Sequence, residues 1–282
     1  MDAPIPVARF APSPTGWLHL GHAHSALFAW TQAKRQAGRF LLRIEDIDRA
    51  RARVEFEVGI HEDLAWLGLD WERPVRRQSD HFADYATALR RLEAEGLLYP
   101  CFCTRAEIAA AGRAPHGIEH GVYPGACRRR SAIERTERIA AGQAYALRLD
   151  AAEANRRTGS LAFVDRGHGR IEVDPRLLGD VVLGRKDTPT SYHLAATLDD
   201  ALQGVTLVTR GEDLLPATHV HRLLQALLGL PEPVYHHHRM LTDEDGHRLS
   251  KRHGALAVRA LRQAGWSAAE VRARAGFPEL LL

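Results

Sequence analysis

Several clusters in the 282-residue chain combine residue types and spacings suited to chemistry. The first is His19-Leu20-Gly21-His22, preceded by Arg9-Phe10-Ala11-Pro12-Ser13-Pro14-Thr15-Gly16. Val7 to Ala11 is a short apolar segment that stops at Pro12, which suits a buried strand, and after the Pro/Gly turn the histidines open a helix. That position suits a nucleotide phosphate, because backbone N–H groups and the positive end of the helix dipole point at it. Gly21 lets a ring system approach the backbone closely. Two imidazoles three apart lie on one helical face and donate hydrogen bonds to a phosphate as its charge builds. Alone, His-x-Gly-His is equally a helix start with two surface histidines; the context from Arg9 to His22 favours the phosphate.

A second group is charged. Arg43-Ile44-Glu45-Asp46-Ile47-Asp48 ends one apolar run, and Arg210-Gly211-Glu212-Asp213 ends another and opens a helix. A planar guanidinium suits bidentate recognition of a carboxylate, and an acidic side chain suits an amine. Taken singly, each of these residues is as readily a surface ion pair. Near the C-terminus, Gly246-His247-Arg248-Leu249-Ser250-Lys251-Arg252 carries a compact cation, Lys251, on a flexible stem, which suits a developing pyrophosphate. By itself this is one more exposed basic loop.

The three cysteines form a third group. Cys101-Phe102-Cys103 is followed by Tyr123-Pro124-Gly125-Ala126-Cys127. Three cysteines cannot all pair within one chain, and two of them are one residue apart, so a disulfide framework is not expected. Thiolates so spaced share a Zn²⁺ that a third cysteine closes, with Tyr123, His116 or His120 as fourth ligand; buried thiols are the alternative. The run His236-His237-His238 suggests a second metal site, but no carboxylate or cysteine is near it in sequence and a packing or solvated role is preferred.

The elements that must position these groups alternate. The expected order is a strand to Ala11, a helix from about Gly21 to Ala37, a strand Phe40–Ile44, and helices near Val54–Leu67 and His81–Glu95. A βαβ unit of this kind predicts a parallel sheet with a right-handed crossover. The stretch 99–175 differs in character, holding all the cysteines, many arginines and β-like runs at Tyr145–Leu149 and Leu161–Val164. Alternation resumes with Asp180–Leu183, Val205–Arg210 and a helix from about Leu214 to Leu228. The expected organisation is a Rossmann-type α/β catalytic domain in two halves, 1–98 and 176–235. The 99–175 stretch is a zinc-containing α+β insertion between them, and 236–282 carries the basic loop and a short helical tail. With 45% hydrophobic and 26% charged residues, no apolar run of 18, no secretion signal and a net charge of +3, a cytoplasmic protein is expected, with no membrane partner and a monomer as the default. The charge permits a polyanionic partner without establishing one.

The segment Arg9–His22 resembles the HIGH motif of class I aminoacyl-tRNA synthetases in its glutamyl/glutaminyl form. Arg43 to Asp48 resembles the Arg-Ile-Glu-Asp-Thr-Asp run that follows there, with Ile47 the departure. Gly246 to Arg252 resembles the mobile KMSKS loop, with Arg248 and Arg252 departing at its ends. Cys-x-Cys followed by Tyr-x-x-x-Cys is similar to a smaller family, the glutamyl-queuosine tRNA(Asp) synthetases, truncated paralogs of glutamyl-tRNA synthetase. In that family the tyrosine is a zinc ligand.

The resemblance implies ATP, L-glutamate and Mg²⁺ with the ATP. It implies catalytic His19, His22 and Lys251, and an ATP site of His19, Gly21, His22, Ser250 and Lys251. The implied glutamate pocket is Arg9, Ala11, Ser13, Glu45, Tyr192 and Arg210, with Arg9 on the side-chain carboxylate and Glu45 on the α-ammonium. One structural Zn²⁺ would sit on Cys101, Cys103, Tyr123 and Cys127. About thirty residues follow Arg252, fewer than the roughly 50 of a separate domain, so no anticodon-binding domain is expected. The implied acceptor is the queuosine base in the anticodon stem-loop of tRNA(Asp). Rivals are a short glutamyl-tRNA synthetase charging the 3′ end of tRNA(Glu), a non-catalytic glutamate- or tRNA-binding paralog, and a small-molecule adenylyltransferase. Lys251→Ala is expected to slow glutamate-dependent pyrophosphate exchange by orders of magnitude with the fold intact; exchange near the wild-type rate refutes that role.

Overall fold

The computed structural model describes residues 5–104, 106–108, 123–241 and 257–279. Ser250 and Lys251 with their basic loop, and His116 and His120, lie outside the described residues. The first half runs β1 (Val7–Phe10), α1 (Leu20–Lys34), β2 (Arg39–Ile44), α2 (Val54–Trp66) and β3 (Glu72–Arg77), with β2 parallel to both β1 and β3. A 3-10 turn, Gln78–His81, leads into α3 (Phe82–Ala94) and β4 (Leu98–Cys101). Then follow α4 (Ala132–Ala140), β5 (Ala146–Leu149), α5 (Ala151–Thr158), β6 (Ala162–Asp165), β7 (Gly169–Glu172) and β8 (Val182–Gly184). The chain continues through α6 (Tyr192–Leu202), β9 (Leu207–Gly211), α7 (Leu215–Leu228) and β10 (Val234–His238), and α8 (Val258–Gln263) and α9 (Ala268–Arg274) form the tail.

The strands make two sheets, one of seven in the order β3-β2-β1-β9-β10-β6-β7 and one of three in the order β4-β5-β8. In the larger sheet all pairings but β6–β7 are parallel. The expected α/β class with a parallel central sheet is therefore the observed one. The boundaries at 99 and 175 are crossed by strand pairing, however. β6 and β7, inside that stretch, join the large sheet through Tyr235 opposite Asp165, while β8, beyond it, pairs with β5. The reason is apolar: Phe163 of β6 is fully buried against Val208 and Tyr235, whereas Leu183 of β8 packs with Leu89, Leu149 and Leu194.

Helix α1 lies close over the sheet because its inner face is largely alanine. Ala23, Ala26, Ala29 and Ala33 are buried beside Leu27 and Trp30, against Ala8, Phe10 and Leu42 of the strands. Short side chains let the helix axis approach, so its N-terminus sits at the end of β1. The sheet changes direction at β1, which has β2 on one side and β9 on the other. Such a switch point opens a crevice at the carboxyl ends of the strands, where ligands of doubly wound sheets bind. Among the described residues, no helix is long and apolar enough to cross a membrane.

Candidate active site

The crevice holds a cavity of about 220 Å³, with Arg9 and Ala11 of the first motif on its wall. His19, Gly21 and His22 also line it, as do Glu45, Tyr192 and Arg210. Ser13 is exposed in the loop after β1 and is not part of the lining. The histidines differ from the expected pair on one helical face. His19 is the N-cap, with extended backbone, and its Nδ1 accepts the Gly21 N–H at 3.1 Å. His22 in turn accepts the His19 N–H on its Nδ1 at 3.3 Å. The rings lie 3.8 Å apart between centroids, tilted by 31°. With Nδ1 accepting in both, a neutral ring carries its proton on Nε2, so each histidine presents an Nε2–H donor. The cap also consumes donors that α1 would otherwise leave unpaired. Downstream, the Val258 N–H donates to the Leu18 carbonyl at 2.8 Å, which ties the tail to this loop.

Two buried arginines, Arg9 on the cavity wall and Arg43 behind it, surround one carboxylate. Arg9 donates from Nε and Nη2 to the two oxygens of Asp200, at 2.8 and 3.2 Å, and from Nη1 to the Thr209 carbonyl. Arg43, fully buried, donates from Nη1 to the same Asp200 at 2.8 Å and to Gln203, and from Nη2 to Glu45 at 3.2 Å. The neighbouring Asp199 accepts from Arg76, Gln78 and Tyr85, each at 2.8 Å. Burial works against the Asp200 carboxylate, but Arg9 and Arg43 outweigh it and hold Asp200 below the usual range. Burial prevails at Glu45, whose carboxyl is raised despite Arg43 and Arg9. Tyr192 is raised by burial as well.

Arg210 has different company. Its Nε donates to Nε2 of His237 at 3.1 Å, and Nη1 to the Tyr192 hydroxyl at 3.2 Å and to Nδ1 of His221 at 3.1 Å. Nη2 donates to the Thr218 hydroxyl. Burial and the Arg210 charge push His237 down to about 4, with Asp165 opposing, and hold His221 well below its ordinary value. Both imidazoles are thus neutral at pH 7, and these four acceptors carry no charge. The histidine run is accordingly built into packing and hydrogen bonding, as preferred from sequence. His237 and His238 are buried, and the carboxylate missing nearby in sequence is supplied in space by Asp165.

Sequence reasoning missed Asp200, Thr218 and His221, and it singled out His237 only within the histidine run, not as a partner of Arg210. Thr218 and His221 stand eight and eleven residues beyond Arg210, which a helix turned back along β9 brings onto it. No pattern marked Asp200, since it lies 191 positions from Arg9.

The cysteines come together away from this cavity. Their sulfurs lie within 4.8 Å of one another, with Cys103 and Cys127 3.5 Å apart and unbridged. The Tyr123 hydroxyl is 3.6 Å from Cys103 Sγ and accepts the Cys127 N–H at 2.8 Å, and the Arg148 guanidinium lies 3.9 Å over its ring. Tetrahedral zinc with Zn–S bonds of about 2.3 Å places sulfurs about 3.8 Å apart, so the donor set fits the ion. Burial pushes the Cys103 thiol up to about 11, and at Cys127 hydrogen bonds led by Tyr123 overcome burial and bring it to about 6.

Residues 7–273 match the family model for the catalytic domain of class I tRNA synthetases (E and Q). The chain belongs to this family. It is 49% identical to a Glutamyl-Q tRNA(Asp) synthetase of Rhodobacter capsulatus over 96% of this chain and 100% of that one. Against a glutamate–tRNA ligase of Aquifex aeolicus, identity is 40% over 92% of this chain but 54% of the ligase. A crystal structure of a glutamate tRNA ligase from Elizabethkingia meningosepticum, in complex with its amino acid, superposes with a TM-score of 0.74 at 30% identity, over 89% of this chain and 52% of that one. The chain thus spans about half the length of these ligases.

In this class I catalytic domain Asp200 is the anion on which two buried arginines depend. Asp200→Ala is expected to destabilise the fold by about 3–5 kcal/mol, the cost of stranding a buried charge. Because the folded carboxyl titrates below its unfolded value of about 3.9, its contribution is complete above that pH and drains away as the pH falls. Denaturant unfolding of Asp200→Asn should therefore show lower stability at pH 7 and a shallower decline into acid than the wild type; parallel curves refute the assignment.

Proposed function

We propose that the chain activates L-glutamate with ATP and transfers the glutamyl group to the queuosine base in the anticodon stem-loop of tRNA(Asp). The observation that carries the glutamate half is how the cations are held. Arg9 and Arg43 are bonded directly to carboxylates, Asp200 and Glu45, whereas the nearest carboxylate behind Arg210, Asp165, reaches it only through the His237 ring. Among the described residues Arg210 has only neutral hydrogen-bond partners. A buried cation left that way favours an anion. L-glutamate brings one net negative charge, and glutamine brings none.

Arg210, with Tyr192 and Arg9, takes the side-chain carboxylate. Glu45, its carboxyl raised by burial, takes the α-ammonium, whose positive charge favours the ionised form. Ala11 borders the bound amino acid, and Ser13 acts only if its loop moves inward. The glutamate α-carboxylate then attacks the α-phosphorus of ATP; the bond to the β-phosphate oxygen breaks and pyrophosphate leaves. The Nε2–H donors of His19 and His22 stabilise charge on the phosphates, Gly21 leaves room for the nucleotide, and Ser250 and Lys251 attend the leaving pyrophosphate. Mg²⁺ accompanying ATP would neutralise part of the phosphate charge. A base hydroxyl next attacks the mixed anhydride, its proton is lost, and AMP departs. Cys101, Cys103, Tyr123 and Cys127 would hold one Zn²⁺ in a structural role.

The acceptor half rests on the relatives. Glutamyl-Q tRNA(Asp) synthetases are matched over 100% and 82% of their length, at 49% and 46% identity.

Labelled glutamate incubated with ATP and enzyme is expected to mark total tRNA from cells that contain queuosine and leave tRNA from cells lacking it unmarked. Equal label on both pools means charging of a 3′ end, and none on either refutes catalysis. For the metal, elemental analysis is expected to find one zinc per wild-type chain and to find it lost in Cys103→Ser; full retention in the variant refutes the ligand set.

A further inference from the structure

The Asp165 carboxylate is buried on β6 and does not line the cavity, yet it connects to it through one imidazole. Its two oxygens have separate tasks. Oδ1 holds the β6–β7 turn, accepting the N–H groups of Gly167 and His168 at 2.8 and 3.0 Å and lying 2.9 Å from Nδ1 of His168. Among the described residues Oδ2 serves His237 alone, at 3.0 Å from its backbone N and 2.7 Å from Nδ1. A turn needs only the first set. The second fixes a tautomer: with Nδ1–H donating to a carboxylate, the neutral ring offers Nε2 as a bare acceptor. That lone pair faces the Nε–H of Arg210 at 3.1 Å, and the Thr218 hydroxyl, bonded to the same guanidinium, lies 3.2 Å from it.

An interposed imidazole does what a direct carboxylate would not. An aspartate on Arg210 would fix the guanidinium but neutralise it, as Asp200 does for Arg9. A neutral acceptor fixes the same plane and leaves the charge for a ligand. Nε and Nη2 are held from the β10 and α7 side, which turns the Nη1 edge toward Tyr192 and the cavity.

We propose that Asp165 and His237 form a positioning pair that orients Arg210 and thereby sets the affinity for the substrate carboxylate without touching it. The proposal rests on Arg210 as carboxylate anchor.

Direct calorimetric binding of L-glutamate and glutamate-dependent pyrophosphate exchange test it in His237→Phe, His237→Gln, Asp165→Asn and Arg210→Ala. His237→Phe keeps the ring volume and loses the acceptor; it is expected to weaken glutamate binding and raise the glutamate KM about 10–100-fold, with the ATP KM within about twofold of wild type. His237→Gln, whose Oε1 accepts from Arg210, should recover about tenfold of that loss, a rescue that a space-filling role would not give. Asp165→Asn, which frees the tautomer, should show the same glutamate-selective loss, and it decides the matter if His237→Phe does not fold. Glutamate affinity within about twofold of wild type in His237→Phe or Asp165→Asn, or equal losses for ATP and glutamate, overturns the proposal. If Arg210→Ala itself retains full glutamate affinity, the anchor reading fails; if only Arg210→Ala loses it, the anchor stands and the positioning pair does not.

Discussion

Two guanidinium groups, Arg9 on β1 and Arg43 on β2, are buried with Asp200 of α6 between them. An isolated buried ion costs several kcal/mol, and a shared carboxylate offsets that cost only when all three groups hold their geometry. The clamp therefore ties two central strands to a helix more than 150 positions away in sequence. It also aligns Glu45, which Arg43 grips from the other side. The cavity floor is thus an electrostatic construction first and an apolar one second.

Around that clamp the sheet does the coarse placement. The reversal of strand order at β1 brings the ends of β1, β2 and β9 to one crevice, and the alanine face of α1 delivers the capping histidines to its rim. Arg9 and Arg210 occupy equivalent places near the ends of neighbouring strands, yet one is neutralised and the other is not. That asymmetry separates a cation paired directly with a carboxylate from one held by neutral acceptors.

Much of this was legible in the sequence. Periodicity located β1, α1, β2, α2, α3 and α7 to within a few residues, because each carries its apolar pattern locally. The charged β3, Glu-Arg-Pro-Val-Arg-Arg, and the histidine-bearing β10 were not anticipated, since pairing with neighbours makes them strands rather than their own composition. Local motifs marked Arg9, Glu45, Arg210 and the cysteines. Asp200, Thr218 and Asp165 left no trace, and His237 stood out only as part of a histidine run, because their partners meet only once β6, β9 and β10 are side by side. The boundaries drawn around the cysteine-bearing stretch misplaced β6 and β8 for the same reason.

The reciprocal cap of α1 gives one segment two duties. In most helices the capping side chain is a serine, threonine or aspartate with no other task. Here the atoms that terminate the helix belong to rings that also line the cavity. A ring that takes a second proton would lose its acceptor and set a positive charge against the positive end of the dipole. If the proposed phosphate role holds, any change at His19 or His22 alters the helix start and the nucleotide site together.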